Sequence, residues 1–436
     1  GLAMRQKHPT GQKRRAGRAG PRVTRRALLL GSGAAALGAA GLWLRRLGGP
    51  GGEAPAAPDA GTPPAGEWRA AWISYIELQG MDYTSAEAFR AGAAAMMDRC
   101  AGLGLNTVIV QVRPFGDALY PSALFPWSHI CTGVQGVSPG FDPLDILLTE
   151  AHSRGLSFEG WINPYRLQAS ASSPGTLAAD NLANTHPDWV AAAGGGLYLN
   201  PAIPEAAAYV VEGVAELVRT YPVDGVHFDD YFYPTTDPAI DAARFAASGA
   251  ADLAEWRRQN VTALVKAAHD AVKAADPTLR FGVSPQGNPD NDMSQQYSDV
   301  RGWLAAGSED AVVDYLCPQL YWGYGYTLSN GSRRFAYENI LAEWLAMPRG
   351  SAALYVGLGA YRIGEGDGGS NGDSVSGWST GRALADQVGT LRAAGAGGYA
   401  LYRYGSLFQN TAWPQLAEAE CAALTAANAP DGGRAG

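Results

Sequence analysis

Two adjacent aspartates, Asp229 and Asp230, follow a short apolar stretch and are followed directly by three aromatic residues. Residues 223–234 read Val-Asp-Gly-Val-His-Phe-Asp-Asp-Tyr-Phe-Tyr-Pro. The pattern predicts a buried strand at Gly225–Phe228 that ends before Pro234, because proline lacks the N–H that a strand ladder needs. Paired carboxyls beside aromatic faces are what a glycoside hydrolase requires. A solvated Asp-Asp turn after an ordinary strand is the alternative.

Hydrolysis of a glycosidic bond usually takes two carboxyl groups, one that donates a proton and one that acts as nucleophile or base. Asp229 alternates with the apolar positions of its strand, so its side chain is expected to point inward and to be essential. The second acid is left open among Asp230, Asp117 and Glu159. Asp117 could instead pair with Arg113. Glu159 falls inside a predicted strand, where an unpaired acid is costly, which favours a functional or paired role.

Polar and aromatic side chains also follow most of the other predicted strands. Any single aromatic could be an ordinary packing residue, and His227 could be a core histidine. Because six or more such clusters occur in register, we expect one face of the sheet to be a ligand site. The predicted substrate-binding residues are Arg113, Trp161, Asn163, Tyr165, Arg166, His227, Tyr231, Tyr233, Ser284, Asn288, Gln319, Tyr321, Trp322, Arg362 and Arg403.

The elements that position these side chains are short apolar runs alternating with longer helical patterns. Such alternation predicts an α/β fold with a parallel sheet covered by helices, and eight units in one domain indicate a (β/α)8 TIM barrel. The carboxyl ends of its strands would meet on one face. The predicted strands are 68–74, 106–113, 156–161, 225–228, 280–284, 315–319, 354–357 and 398–402, and the helices are 86–103, 143–154, 204–220, 251–275, 335–347 and 381–394.

Composition bounds the class of protein. The chain has 436 residues, 47% of them hydrophobic, which supports a large core and excludes general disorder. The net charge of -8 is unevenly spread, because residues 1–46 hold 11 of the 33 Lys and Arg and none of the 41 Asp and Glu. The acidic remainder argues against nucleic-acid binding.

No cofactor and no metal is predicted. The four cysteines lack zinc-ligand spacing, and the sequence does not choose between disulfides and free thiols.

The N-terminal residues 1–47 are typical of an export segment. Arg25 and Arg26 precede an apolar run at 27–44, as in a twin-arginine signal, and the run is long enough to act as a membrane anchor. A disordered basic tail is the alternative. We therefore expect an exported protein of the cell envelope or the extracellular space, either released or held by residues 27–44. A Gly/Pro/Ala linker at 48–66, a catalytic domain at 67–425 and a disordered tail at 426–436 complete the predicted domains. The oligomeric state is left open.

Several motifs in residues 67–404 resemble the glycosyl hydrolase-like 10 family of bacterial envelope proteins. They are Gln-Val-Arg-Pro-x-Gly-Asp-Ala-x-Tyr at 111–120, Pro-Trp-Ser at 126–128, Phe-Asp-Pro-Leu at 141–144, Ala-His-x-Arg-Gly at 151–155, Trp-x-Asn-Pro-Tyr-Arg at 161–166, His-Pro-x-Trp at 186–189, Asp-Gly-Val-His-Phe-Asp-Asp-Tyr-Phe-Tyr-Pro at 224–234 and Ser-Pro-x-Gly-x-x at 284–289.

This resemblance implies an extracytoplasmic TIM-barrel glycosidase, in a family that includes a division-associated enzyme cutting peptidoglycan glycan strands without stem peptides. By the resemblance, Asp229 and Asp230 match the family's acidic pair, and Arg113 and Asp117 match its Arg…Asp pair. The chain departs from many members in two ways. Glu159 stands where they carry histidine, and residues 1–47 lack a lipid-bearing cysteine.

The leading hypothesis is therefore a hydrolase of cell-wall glycan, with peptide-free peptidoglycan strands as substrate. Muramic acid without a peptide exposes a lactyl carboxylate, which a guanidinium binds in bidentate fashion. Arg113, Arg166, Arg362 and Arg403 are the candidates for that contact, and pairing with acids at the barrel rim is the alternative. A chitinase-like N-acetylhexosaminidase and a carbohydrate-binding barrel without turnover are the competing functions. Retaining or inverting chemistry is left open.

Overall fold

The computed structural model describes residues 56–430. The predicted export segment, residues 48–55 of the linker and residues 431–436 lie outside that range, so their predictions stand as predictions. Within residues 56–430, none of the helices combines the length and the apolar character needed to cross a bilayer. All four cysteines lie in this range, and none is bonded to another.

In the part of the chain that the structure describes, twelve strands build two sheets of very different size. The first is a nine-stranded parallel sheet in the order β10-β9-β8-β7-β3-β2-β1-β12-β11, and the second is a three-stranded antiparallel sheet in the order β4-β6-β5. The strands are β1 (Trp68–Ile73), β2 (Thr107–Arg113), β3 (Ser157–Ile162), β4 (Arg166–Gln168), β5 (Val190–Ala193), β6 (Gly196–Leu199), β7 (Gly225–Phe228), β8 (Arg280–Val283), β9 (Tyr315–Leu316), β10 (Ala353–Leu354), β11 (Val356–Gly359) and β12 (Gly398–Tyr402).

The large sheet is closed into a barrel, because its two edge strands, β10 and β11, follow each other directly in the chain. Tyr355 alone separates β10, which pairs with β9, from β11, which pairs with β12. The N–H of Tyr355 donates to the Leu316 carbonyl at 2.9 Å, so β10 and β11 together act as one strand of the barrel. The barrel therefore has eight strands, which confirms the predicted (β/α)8 TIM barrel.

Helices surround the barrel and bury one face each. On helix α6 (Pro204–Thr220), the buried residues Val210, Val214 and Leu217 are spaced four and three residues apart. They form the apolar stripe that faces the sheet. Burying such a side chain contributes about 1.5–3 kcal/mol. The helices are α1 (Tyr75–Gln79), α2 (Ala86–Gly102), α3 (His129–Thr132), α4 (Pro143–His152), α5 (Leu182–Thr185), α6 (Pro204–Thr220), α7 (Ala242–Ser248), α8 (Leu253–Ala275), α9 (Pro289–Asn291), α10 (Val300–Ala305), α11 (Tyr337–Leu345), α12 (Ala383–Ala393), α13 (Tyr404–Phe408) and α14 (Pro414–Ala427).

A separate cluster of large side chains fills the barrel interior, including Trp68, Trp72, Trp161 and Tyr315. Alternate residues of each strand face inward, so these rings stack in layers along the barrel axis. Gly282 of β8 is required here, because a Cβ at that position would overlap the Tyr315 ring. The interior is therefore packed, and only its carboxyl end can open to a ligand.

The structure differs from the prediction in the excursion between β3 and α6. A long loop was expected there, but β4, β5 and β6 form an antiparallel sheet. Gly194 and Gly195 join β5 to β6 with φ values of 57° and 83°, the left-handed conformation that a tight hairpin turn needs. One strand is also shorter than expected, since β9 ends at Leu316, and the strand predicted at 354–357 extends over 353–359 with an interruption at Tyr355.

Candidate active site

Asp229 occupies the inner face at the carboxyl end of β7. Trp161 pairs with His227 and Ile162 with Phe228, so Asn163 and Asp229 lie side by side one residue further along. Oδ2 of Asp229 accepts hydrogen bonds from the Trp161 indole at 3.2 Å and from the Asn163 amide. Asp229 therefore points into the barrel, as the alternation of its strand predicts.

The orientation of Asn163 is fixed from three sides. Its amide donates to Asp229, while its carbonyl oxygen accepts from the Gln111 side chain and from Nη2 of Arg166, the latter at 3.2 Å. Gln111 in turn accepts the N–H of Tyr75 at 2.8 Å. The carboxylate thus sits against donors that cannot rotate away without losing their own partners.

Asp230 faces the opposite wall, which β8 and β9 form. Its Oδ1 accepts a hydrogen bond from Nε2 of Gln319 at 3.0 Å, and the side-chain amide of Gln286 also lowers the pKa of this carboxyl. Gln319 also donates to the Ser284 carbonyl at 3.1 Å, and the Ser284 hydroxyl donates to the Cys317 carbonyl at 2.8 Å. Ser284 therefore supports Gln319 beneath the rim.

Burial controls the protonation of the pair. Loss of water and, secondly, the neighbouring Asp230 raise the pKa of Asp229 to about 7, although Arg166 and the Trp161 N–H oppose the rise. Burial likewise raises the pKa of Asp230, against the amides of Gln319 and Gln286. Two adjacent carboxyls in a site of this kind titrate as a unit, so the charge of one disfavours ionisation of the other.

Arg166 is the cation of this site. Its Nε and Nη2 donate to the Pro114 carbonyl at 3.3 and 3.2 Å, and its guanidinium lies 4.4 Å from the ring centroid of Phe115. The side chain is half-buried, and its charge lowers the pKa of both aspartates. Of the arginines predicted to bind substrate, Arg166 therefore places its guanidinium beside the acid pair.

Aromatic rings line the rim around the acids. Tyr231 is 51% exposed, and the half-buried Trp322 stacks on Phe335 with ring centroids 5.1 Å apart. Tyr321 stacks on Tyr402 at 5.6 Å. Partly exposed rings of this type offer apolar faces to the C–H side of a sugar while their polar tips remain free to hydrogen-bond.

Arg113 and Asp117 differ from the prediction, because the structure buries both behind β2. The register of β2 shifts between Gln111 and Arg113, and the Arg113 guanidinium lies 4.1 Å from the centroid of the Phe125 ring, which packs against α6. Asp117 is 0% exposed and accepts the N–H of Phe115 at 3.1 Å and the Gln135 amide at 2.9 Å. Both residues hold the loop after β2 and neither reaches the cleft.

Two predicted subsite aromatics and one arginine also have structural partners. Tyr165 is 1% exposed beside Phe232, and Tyr233 is 2% exposed with its ring 5.0 Å from that of Tyr297. Nη1 of Arg403 pairs with the buried Glu77 at 2.6 Å, which is the alternative stated for these arginines. The expectation that these three bind substrate is corrected accordingly.

Asn288 and Arg362 occupy intermediate positions. Asn288 caps α9, since its Oδ1 accepts the N–H of Asp290 at 3.0 Å. Arg362 donates from Nε to the Tyr321 carbonyl at 3.1 Å and lies 4.7 Å from the centroid of the Tyr361 ring. Both are half-buried near the rim. The contact of Arg362 with the Tyr321 carbonyl uses Nε and leaves its two terminal nitrogens available.

Glu159 and His227 form a layer beneath the acid pair. Glu159 pairs with Gly225 in the strand register, four residues before Asp229, which places it roughly 13 Å lower at ~3.3 Å per residue. The Trp72 indole donates to Nε2 of His227 at 3.1 Å, Nδ1 of His227 lies 2.8 Å from the Tyr315 hydroxyl, and that hydroxyl donates to Glu159.

Each side chain in this lower chain has at least one hydrogen-bond partner inside the barrel. Burial lowers the pKa of His227 to about 3, so its ring is neutral, and burial raises the pKa of Glu159 to about 7. With 0% and 2% exposure, neither side chain can contact a glycan in the cleft. The catalytic expectation for Glu159 and the binding expectation for His227 are therefore corrected.

Sequence reasoning missed several residues that contact the acids or line the rim. Gln286 and Tyr402 stand at strand ends and carried the same signal as the residues that were selected. Tyr75 begins α1, in the connection between β1 and α2, and Phe115 lies in the loop after β2; both flank Arg166 and had no separate signal. Their contribution depends on how those loops fold back over the barrel mouth.

The fold and the site together define a TIM barrel with a carboxylate pair in an aromatic cleft at the carboxyl end of its strands. The sequence profile described as glycosyl hydrolase-like 10 matches residues 67–370. The chain belongs to the glycosyl hydrolase-like 10 family, which confirms the resemblance noted in its motifs.

Curated relatives share this region. The chain is 38% identical over 323 residues to glycosyl hydrolase YngK of Bacillus subtilis (strain 168), covering 68% of this chain and 61% of that protein. It is 36% identical over 299 residues to glycosyl hydrolase DigH of Escherichia coli (strain K12), covering 62% and 65%. The chain thus spans less than two thirds of the length of the relatives it matches.

A solved structure shows the same fold at low identity. The α-L-fucosidase isoenzyme 2 from Paenibacillus thiaminolyticus aligns with a TM-score of 0.51 and 16% identity, over 83% of this chain and 49% of that one. At this identity the likeness concerns the barrel alone.

Proposed function

We propose that this protein is a glycoside hydrolase that uses Asp229 and Asp230 as its carboxyl pair. The observation that carries the proposal is the position of Asp229, which lies on the inner face at the end of β7 and hydrogen-bonds Trp161 and Asn163. Active sites of TIM barrels lie at this end, and the printed names of the two relatives are those of glycosyl hydrolases.

In this mechanism Asp229 donates the proton to the departing sugar oxygen. A carboxyl whose pKa is about 7 is about half protonated at neutral pH and releases its proton readily. Asp230 is the ionised partner, because the Gln319 amide donates to it and, together with the Gln286 amide, favours its charged form. Its negative charge stabilises the oxocarbenium-like transition state.

The substrate that fits best is a cell-wall glycan, in particular a peptidoglycan strand without stem peptides. Arg166 and Arg362 remain of the four arginines first considered, because Arg113 is buried behind β2 and Arg403 pairs with Glu77. Arg166 lies beside the acids, and its Nη1 has no hydrogen-bond partner among residues 56–430. A lactyl carboxylate offers this guanidinium a charge-assisted partner. The export segment at 1–47 would deliver the protein to that polymer.

Mass spectrometry of products from purified, peptide-free glycan strands tests the proposal. The wild type should shorten the strands, and Asp229→Asn should bind them with similar affinity but release no products. Binding without products from the wild type would instead make the barrel a carbohydrate-binding protein. Products from chitin oligosaccharides alone would replace the proposed substrate with a neutral amino-sugar polymer.

A further inference from the structure

The turn Asp292–Gln296, which follows α9, contacts both loops that surround Asp230. It is a single π-helical turn, and Tyr297 ends it with a φ of 58°, in the left-handed region that non-glycine residues rarely adopt. Turns and conformations of this kind persist where the surrounding structure holds them, and they recur at functional sites. Two of its side chains, those of Asp292 and Gln296, accept backbone N–H groups of these two loops.

Asp292 fixes the loop after β8. Its side chain is fully buried, and its Oδ1 accepts the N–H of Gln286 at 2.8 Å. Gln286 is one of the two amides that lower the pKa of Asp230. The backbone from which Gln286 reaches the acid is therefore anchored by Asp292. Burial raises the pKa of Asp292 well above its ordinary value.

Gln296 fixes the loop after β7. Its Oε1 accepts the N–H of Phe232 at 3.1 Å, and Phe232 lies two residues after Asp230. The Phe232 ring is 1% exposed and packs edge-on against Trp303. Gln296 thus holds the backbone of the acid loop at the point where that loop leaves the cleft.

The end of the turn is held from the outer layer. Nη1 of Arg257 donates to the Tyr297 hydroxyl at 2.9 Å, and the same guanidinium pairs with Asp241 at 2.7 Å. Arg257 also donates to the carbonyls of Thr236 and Asp237, further along the acid loop. The turn and the acid loop therefore share one buried anchor on α8.

We propose that Asp292 and Gln296 are positioning residues that set the distance between Asp230 and its two amide partners. The inference rests on the proposed function, because it assigns these residues to the same carboxyl pair. Displacing a reacting group by about 1 Å can cost roughly 100-fold in rate, so a small shift of either loop has a large effect. Neither residue contacts the substrate in this account.

The matched variants are Gln296→Met and Gln295→Met. Both replace an amide with an apolar side chain of similar length on the same turn, but Gln295 is exposed whereas Gln296 accepts the Phe232 N–H. On glycan strands, Gln296→Met should lower kcat by about 10- to 100-fold with KM within about twofold. Gln295→Met should match the wild type. Gln296→Glu, which keeps the acceptor oxygen, should recover most of the lost kcat.

Crystal structures of the two Met variants separate this inference from the proposed function. In Gln296→Met the Asp230–Gln319 contact, 3.0 Å in the wild type, should lengthen beyond hydrogen-bonding distance, and in Gln295→Met it should persist. An unchanged contact or an unchanged kcat in Gln296→Met overturns the positioning role. If the wild type cleaves no glycan, the proposed function fails and the two structures alone decide the positioning role.

Discussion

The barrel contains two buried acids whose pKa values are both raised to about 7, Asp229 at the mouth and Glu159 in the layer below. Burial is the main cause in both cases, so the pKa alone does not distinguish them. Their neighbours do. Asp229 adjoins a second carboxyl and a half-exposed tyrosine, whereas Glu159 is the end of a closed chain of core side chains. A perturbed pKa marks a functional acid only where a ligand can reach it.

The largest expected effect is on catalysis at the mouth. Asp229→Asn and Asp230→Asn should each lower kcat by about 100- to 10,000-fold, because each removes a group that acts in the transition state. The double variant should be about as slow as the worse single variant, since residues that act as a unit are not additive. Steady-state kinetics on glycan strands check this. Additive losses would show that the two carboxyls work independently.

The next largest effect is on stability in the layer below. The pKa of Glu159 is 4.5 in an unfolded chain and about 7 in the fold, so the unfolded state loses its proton first as the pH rises. The wild type should therefore lose on the order of 3 kcal/mol between about pH 4.5 and 7, relative to Glu159→Gln, which has no proton to lose. Denaturant unfolding at pH 4.5 and pH 8 measures the difference.

Glu159→Gln should also keep its activity, because the amide can still accept the Tyr315 hydroxyl. Parallel stability curves for the two proteins would show that Glu159 is not protonated in the fold. Loss of activity at unchanged stability would move the chemistry to the lower layer.

A smaller effect is expected from Arg166, which lies at the mouth. Arg166→Met should raise KM for muramic-acid strands by about 10- to 100-fold, the equivalent of a charged hydrogen bond of about 1.5–3 kcal/mol. KM for a neutral chitin oligosaccharide serves as the control and should change little. An equal rise for both substrates would assign Arg166 to the acid pair and not to a substrate carboxylate.

The smallest effect separates two tyrosines that the sequence treated alike. Tyr231→Leu should weaken glycan binding by about 3- to 10-fold, because a stacked aromatic face contributes about 0.5–1.5 kcal/mol. Tyr165→Phe should leave binding unchanged, since the Tyr165 hydroxyl is buried and has no partner among residues 56–430. Isothermal calorimetry with the Asp229→Asn protein as background measures both. Weaker binding by Tyr165→Phe would show that this residue reaches the cleft.

The fold was predictable because the barrel strands are continuous apolar runs separated by capped helices. Asp142 and Asp252, for example, cap α4 and α8. The three-stranded excursion was missed, although Gly194-Gly195 between two short apolar segments is a hairpin signal. The prediction made β9 too long, because Gln319 continues the direction of the strand but is joined to its neighbours only by isolated bridges.

The site was predictable where alternation along a strand holds and unpredictable where it breaks. Trp161, Asn163 and Asp229 follow the alternation and converge. Arg113 does not, because the register shift after Gln111 turns its side chain toward α6, and no residue type announces that shift. Asp292 and Gln296 act through backbone N–H groups of other loops, which a sequence does not pair.

The pH dependence of kcat/KM for the wild type and Glu159→Gln tests most directly which acid performs the chemistry. If Asp229 is the proton donor, both proteins should lose activity as the pH rises through about 7, with the same midpoint. Loss of that midpoint in Glu159→Gln would contradict the account, because the sealed acid would then control the reaction.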